Sequence, residues 1–469
     1  MVPPSPPAPD DARSGQHGRD PRGGRSSRTP VAIIGAGLTG MATAFHLRRA
    51  GIECRLFERL ERAGGHAVTD EEQGYRFDRT GHLLHVGDGE TRQLALGWIG
   101  PEHREIERRA AIWSHGVYTR YPFQANLRGL PPEAAYDCLL GFIRAWHERA
   151  AAPEAPAPVD FEQFCLRNFG RGISERFMVP YNSRLWGVAP REITAEWCAR
   201  FVPIPTLEEV LAGAVGHSPP ELGYNVRFLY PKGGIGRLSA GLAAAVGPIE
   251  LGRTVRAIHP GSRELELSDE TVGYEVLVST APLPRAVGLM AEAPEPVKQA
   301  AASLRATHLW YLDVALSEPC GQPFHWVYVP EPRYPFYRVG CYTHFSPEMA
   351  PAGKASLYVE LVDRGELELE QVMPAVVQGL REMQIVRGPE AIAFARLRKL
   401  DPAYVVFDHG TAAALATIRP YLAAAQVLSV GRYGGWNYSS MAEALRFGQD
   451  AASQAMALLG AHAAGKNTK

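Results

Sequence analysis

Cysteine, lysine and long apolar runs are what this 469-residue chain has little of, and each shortage excludes something. Its six cysteines (Cys54, Cys138, Cys165, Cys198, Cys320 and Cys341) are scattered singly, with no Cys-x-x-Cys pair. That spacing indicates neither a disulfide framework nor a zinc motif, and it fits a reducing compartment. No apolar run approaches the roughly 18 residues that span a bilayer. Net charge is −1, so neither bulk nucleic-acid binding nor membrane binding is expected. Lysine is scarce beside arginine, which makes each arginine cluster a candidate phosphate clamp. No repeat of solenoid length is visible. Residues 1–29 are rich in Pro, Gly and Arg and lack the apolar middle of a signal peptide. They read as a disordered tail, with 461–469 a flexible tail and the cytoplasm the expected location.

What is present begins with length, which predicts two or three lobes. Folded structure is expected from 30-PVAIIGAGLTGMATAFHLRRAG-51 onward. A short apolar strand leads straight into Gly35-x-Gly37-x-x-Gly40 and a helical pattern that opens on Leu38 and Thr39. A second strand, 52-IECRLFER-59, then ends in Glu58 and Arg59. A dinucleotide-binding βαβ unit needs this order. The glycines let backbone approach a pyrophosphate, the helix N-terminus faces its charge, and the carboxylate takes the ribose hydroxyls. A tight strand–helix turn is the bland explanation, and the acid at the second strand's end weighs against it.

The next segment separates FAD from NAD. Gly64-Gly65-His66, in 58-ERLERAGGHAVT-69, lets a loop pass beside a bulky cofactor, and Gly81-His82 follows in 75-YRFDRTGHLLH-85. Later pieces, 230-YPKGGIGRLSAGLA-243, 274-YEVLVSTAP-282 and 429-SVGRYGGWNYSSM-441, complete the pattern of an FAD protein assembled from separated stretches. The expected fold class is α/β. A Rossmann-like FAD-binding domain comes from 30–100, 225–285 and 395–460, with a helical insert at 101–172. A substrate domain from 173–224 and 286–394 carries an antiparallel sheet, read from alternating runs such as 307-THLWYLDVAL-316 and 355-ASLYVEL-361.

Aromatic loops mark the middle of the chain: 119-TRYPFQANLRGLP-131 and 177-FMVPYNSRLWGVAP-190. Rings beside a few amides suit a flat nucleobase, although core packing is the commoner use of such residues. Arg200 and Arg338 each sit among apolar neighbours, where a guanidinium needs an anion or a carboxylate. Sequence leaves both options open.

Taken together, these motifs resemble the UDP-galactopyranose mutases, in particular the eukaryote-type branch, over roughly residues 30–455. The resemblance rests on the FAD fingerprint, 81-GH-82, 121-YPFQ-124, 177-FMVPYN-182 with Trp186, Asn225 and 231-PKGGIG-236. It continues through 326-WVYVPEPRYPFYR-338 and 431-GRYGGWNY-438. It implies interconversion of a nucleotide-diphospho-hexopyranose and its furanose, using reduced FAD as nucleophile with no net redox change. NADPH or NADH would serve as reductant, and a homo-oligomer is left open.

By resemblance, Gly35, Gly37, Leu38, Thr39, Gly40, Glu58, Arg59, Gly65, His66, Gly81, His82, Gly431, Arg432, Ser440 and Met441 hold FAD. Tyr121, Gln124, Phe177, Tyr181, Asn182 and Trp186 hold base and ribose. Arg200, Arg338, Tyr328, Tyr404 and Tyr438 hold the diphosphate, while Trp326 and Asn225 border sugar and flavin. His82, Arg200, Trp326, Tyr328, Arg338 and Tyr438 form the expected catalytic set.

Two departures stand out. Phe345 occupies a position where the family pattern has a phosphate-binding tyrosine, and 437-NYSS-440 replaces a more charged stretch. These leave UDP-galactose and a related substrate such as a GDP-hexose both open. Two rivals stand beside the mutase: an FAD-dependent oxidase or desaturase of the amine or protoporphyrinogen oxidase type, and a non-catalytic flavin- or nucleotide-binding subunit.

Overall fold

The computed structural model describes residues 18–19, 25–87, 89–154, 156–196, 198–217, 222, 226–363 and 365–466. Two seven-stranded sheets organise them. In the first, strand Arg25–Ile34 runs parallel to Cys54–Phe57 on one side and to Glu270–Ser279 on the other. Val427–Ser429 lies parallel beyond Glu270–Ser279. Side chains alternate across the central strand. Val31 and Ile33 enter one core with helices Leu38–Arg49 and Gly236–Val246, while Ala32 and Ile34 enter another. Both faces are covered, so the strand reads as an unbroken apolar run. This is the α/β fold that the sequence predicts.

The second sheet runs Ile392–Leu400, Leu309–Leu316, Ala355–Leu361, Phe336–Cys341, Trp326–Tyr328, Ala110–Ser114 and Val117–Arg120. Its pairings are antiparallel except that of Trp326–Tyr328 with Ala110–Ser114. Helix Leu369–Glu382 covers one face through Val376 and Leu380. The other face carries Tyr311 and Tyr337 against a helical unit of Pro132–Ala151, Phe161–Ile173, a π turn Ser174–Met178, Val179–Trp186 and Leu207–Val215. There the backbones touch: a Cβ on Gly170, whose φ is 71°, would lie 2.0 Å from the Gly141 carbonyl oxygen. Arg184 ties the unit to the sheet by donating to the carbonyls of Val329, Glu331, Tyr334 and Phe336.

Several boundaries differ from the expectation. The stretch 101–120 is not helical; it forms strands His103–Glu107, Ala110–Ser114 and Val117–Arg120. Ala110–Ser114 is buried at every position, so no alternation announces it, and its hairpin turns on His115 and Gly116, both at positive φ. Helical structure instead extends into the stretch assigned to the sheet domain. The central strand starts at Arg25 rather than 30, because ladder hydrogen bonds to 270–274 need no apolar side chains.

Helix Met441–Lys466 likewise runs through 461–466, expected as a tail. Helix Glu295–Ser303 packs on the first sheet through Val297 and Ala301, whereas Ile392–Leu400 joins the second, reversing both assignments. Among the described residues no helix is long and apolar enough to cross a membrane.

Candidate active site

Between the two sheets lies a cavity of about 1520 Å³. Typical single-ligand pockets hold about 300–1,000 Å³, so this one has room for a dinucleotide and a second ligand. Its nucleotide end is the turn after the central strand. Gly35, at φ 96°, receives Thr280 so closely that a Cβ would meet Thr280 Oγ1 at 2.4 Å. A Cβ on Gly40 would lie 1.9 Å from the Gly35 carbonyl oxygen, so only glycine lets helix Leu38–Arg49 start here. Glu58 fixes the turn from the neighbouring strand: its carboxylate accepts from Ala36 N at 2.8 Å and Leu60 N at 3.0 Å. Gly37, Leu38, Thr39, Arg59, Gly64 and Gly65 share this wall.

Two histidines stand further in. Burial pushes the His66 imidazole down to about 4 and that of His82 down to about 3, with nearby arginines acting the same way. Both rings are therefore neutral near pH 7. Each keeps a buried Nδ1 without a hydrogen-bond partner among the described residues. Gly431 and Arg432 follow strand Val427–Ser429 and close the same end. A Cβ on Gly431, at φ 83°, would sit 2.9 Å from Thr39 Oγ1. Ser440 caps helix Met441–Lys466: Glu443 N donates to its hydroxyl at 3.2 Å, and Ser440 N donates back to Glu443 at 2.8 Å.

The far half of the cavity is aromatic and cationic. Phe177 and Tyr181 stack 5.4 Å apart, Tyr328 meets Tyr121 at 5.1 Å and Tyr181 at 5.2 Å, and Trp186 faces Tyr404 and Tyr438. Gln124 and Asn182 are held by carbonyls, Pro203 O at 2.9 Å and Met178 O at 2.8 Å. Arg338 reaches in from the second sheet and Arg432 from the first. Arg432 lies 4.9 Å from the Tyr438 ring and 5.2 Å from that of Tyr404. Arg338 donates to Glu360 at 2.5 Å and Tyr404 Oη at 3.4 Å. Burial raises the Tyr181, Tyr328 and Tyr404 phenols, so all three remain protonated donors.

The predicted site residues converge. All described members line this one cavity except Gly40, which sits beneath the turn. Asn225 and the side chain of Arg200 lie outside the described residues. Phe345 is a correction. It does not border the cavity but is buried behind it, with Tyr230 at 5.1 Å and Phe228 at 5.8 Å. An apolar ring gains more in that aromatic core than at a polar wall, so its missing hydroxyl subtracts nothing from the site. Asn437 also turns away, donating to the Gly431 carbonyl at 3.1 Å. Sequence reading missed Glu360, although a lone acid within the fully buried strand Ala355–Leu361 was a usable signal. It also missed Thr280, which carries no motif.

The cavity suits a flavin dinucleotide. Buried polar groups are nearly always partnered, yet His66 Nδ1, His82 Nδ1 and Arg432 Nε and Nη2 have no partner among the described residues. They line the cavity beyond the glycine turn, where a polar ring system would satisfy them. A family model of flavin-containing amine oxidoreductases matches residues 38–454. The chain belongs to the flavin-containing amine oxidoreductase family.

The reduced UDP-galactopyranose mutase structure superposes with TM-score 0.85 at 23% identity, over 92% of this chain and 94% of that one. Putrescine oxidase bound to putrescine superposes with TM-score 0.63 at 18% identity, over 92% of this chain and all of that one. A Klebsiella pneumoniae protein described as a probable UDP-galactopyranose mutase is 24% identical over 174 residues, 36% of this chain and 44% of its own. The curated relatives are matched over only 9% to 44% of their lengths. The structural likenesses show the fold, and the family match supports a flavin protein.

Proposed function

We propose that this chain is a flavin-dependent mutase interconverting the pyranose and furanose forms of a nucleotide-diphospho-hexose. The observation that carries the reading is Arg338, which enters the aromatic half of the cavity from the second sheet. Its Nη2 is anchored by Glu360, while its buried Nε has no partner among the described residues, and the Arg432 guanidinium adds a second positive charge nearby. Donors so placed suit an anion with several oxygens, and a diphosphate is one. A cationic amine, the substrate type of an amine oxidase, would meet two like charges in a poorly hydrated site.

The glycine turn, Glu58, His66, His82, Gly431 and Arg432 would hold FAD, which in reduced form supplies a nucleophile for the anomeric carbon. The protein's own groups do the rest. Arg338, Tyr328, Tyr404 and Tyr438, joined by Arg200, would grip the diphosphate and keep it close for return. Phe177, Tyr181 and Trp186 would sandwich the base, with Gln124, Asn182 and Tyr121 orienting base and ribose. Trp326 would border the sugar. The neutral histidines would bind the flavin edge without adding charge, and the aromatic walls would keep water from the reacting centre.

The test is to reduce the flavin with dithionite, exclude air, and incubate the protein with UDP-, GDP- and TDP-hexoses. The expected result is ring-form conversion by reduced protein alone, resolved by chromatography, with no oxygen consumption. Oxygen-consuming turnover of an amine or a porphyrinogen would replace this reading with an oxidase. Spectral binding of a sugar nucleotide without turnover would replace it with a binding subunit.

A further inference from the structure

Cys320, Cys341 and His344 each bring one ligand atom to within 4.8 Å of the others. No Cys-x-x-Cys spacing announces this; the fold assembles it. Cys341 ends strand Phe336–Cys341, His344 ends the turn Tyr342–His344, and Cys320 lies in the loop after strand Leu309–Leu316. Backbone bonds hold the three segments: Cys341 N donates to His325 O at 3.0 Å, and Gly321 N to Ile385 O at 3.0 Å. None of the three side chains lines the flavin cavity.

Two further contacts prepare the group for a ligand. His344 Nδ1 lies 2.7 Å from the Phe324 carbonyl oxygen, so that nitrogen carries the proton and Nε2 the lone pair. Metal-bound imidazoles are commonly oriented this way, through a carbonyl on the opposite nitrogen. Thr343 Oγ1 lies 3.1 Å from Cys341 Sγ, placed to donate to a thiolate. Neither a buried apolar thiol nor a simple disulfide calls for the imidazole.

We infer that Cys320, Cys341 and His344 form a binding site for a thiophilic divalent cation of the zinc class, with water in the fourth position. Tetrahedral zinc holds sulfur at about 2.3 Å and nitrogen at about 2.0–2.1 Å, which separates the donors by roughly 3.5–3.8 Å. Small side-chain rotations bring the observed cluster to that spacing. Cys320 is partly exposed, giving the ion a path in. Binding releases two thiol protons to solvent, and the two thiolates cancel the cation's charge. The site therefore adds no net charge beside Arg109, whose guanidinium reaches the His325 ring at 3.5 Å. Bound metal would staple the loop at 317–325 to the end of the strand that carries Arg338.

The test uses holoprotein freed of metal by chelator and kept reduced with a phosphine. Titration with Co²⁺ should give a thiolate-to-cobalt charge-transfer band that saturates at about one equivalent and is displaced by Zn²⁺. Cys320→Ser and His344→Ala should abolish the band, and Thr343→Val should weaken binding by about 10- to 100-fold. Zn²⁺ should also protect Cys320 from iodoacetamide in the unmutated chain, a readout that needs no variant to fold. Absence of the band together with undiminished alkylation in Zn²⁺ would overturn the site. So would full binding by a folded Cys320→Ser protein that retains its flavin absorbance.

Discussion

Arg338 and Glu360 form a buried ion pair on adjacent strands: Nη2 donates to Oε1 at 2.5 Å, and the carboxylate is shielded completely from solvent. Sequence reading offered Arg338 either an acidic partner or an anionic ligand. It has the first and room for the second, because its Nε remains without a partner among the described residues. Glu360 thus anchors the guanidinium and leaves part of its donor fork available.

Removing one member should expose the cost of the other. Arg338→Ala is expected to destabilise the protein by about 3–5 kcal/mol, since an unpaired carboxylate stays buried. Arg338→Met with Glu360→Met should recover most of that stability in urea melts. Sugar-nucleotide turnover should stay absent in both, which would separate folding from function. Turnover near the unmutated level in the double variant would remove Arg338 from the proposed clamp.

Tyr404→Phe and Tyr438→Phe each delete one hydroxyl from the proposed diphosphate site. A hydrogen bond to a charged group contributes about 1.5–3 kcal/mol, so sugar-nucleotide affinity should fall about tenfold or more in each. Flavin content should not change. Isothermal titration with a UDP-hexose against the reduced protein reads this directly.

The glycine turns make a steric prediction. Gly40→Ala drives a methyl group into the Gly35 carbonyl, and Gly431→Ala combines a clash at Thr39 with left-handed strain of about 1–2 kcal/mol. Flavin absorbance per mole of protein should fall sharply for Gly40→Ala and less for Gly431→Ala.

Asp78 should leave a mark on stability against pH. Burial pushes its carboxyl up to about 7, although Thr69, Tyr230 and the backbone of Ile235 donate to it. Its folded pKa lies above the unfolded one. The stability it contributes is therefore complete below about pH 4 and lost as pH rises through about 7. Comparing melting temperatures of Asp78→Asn and the unmutated protein from pH 4 to 8 checks this. The advantage of Asp over Asn should shrink from about pH 4 to about pH 7 and level off above it. A constant difference would mean that the carboxyl does not titrate there.

Much of the site was readable along the chain, and the reason is locality. Strand, glycine turn, helix and terminal acid are neighbours in sequence, and the requirements at Gly35, Gly40 and Glu58 act over one βαβ unit. The aromatic segments at 119–131 and 177–190 also stood out by composition. Burial pattern was a poorer guide wherever a strand is covered on both faces. Ala110–Ser114 shows no alternation, so a stretch that pairs with Trp326–Tyr328 read as helix.

By itself, then, the sequence determined a flavin-type nucleotide turn, an α/β fold and a stock of rings and arginines. Those follow from short-range periodicity and from glycines that tolerate no side chain. Only the tertiary structure decided which distant residues meet. Sheet register set Arg338 against Glu360 across adjacent strands, and the docking of distant segments brought Tyr404 and Tyr438 around Arg432. Burial in an aromatic core took Phe345 out of the site, and three chain segments gathered Cys320, Cys341 and His344. Such meetings depend on how separated strands and helices dock, and on the burial they gain by docking.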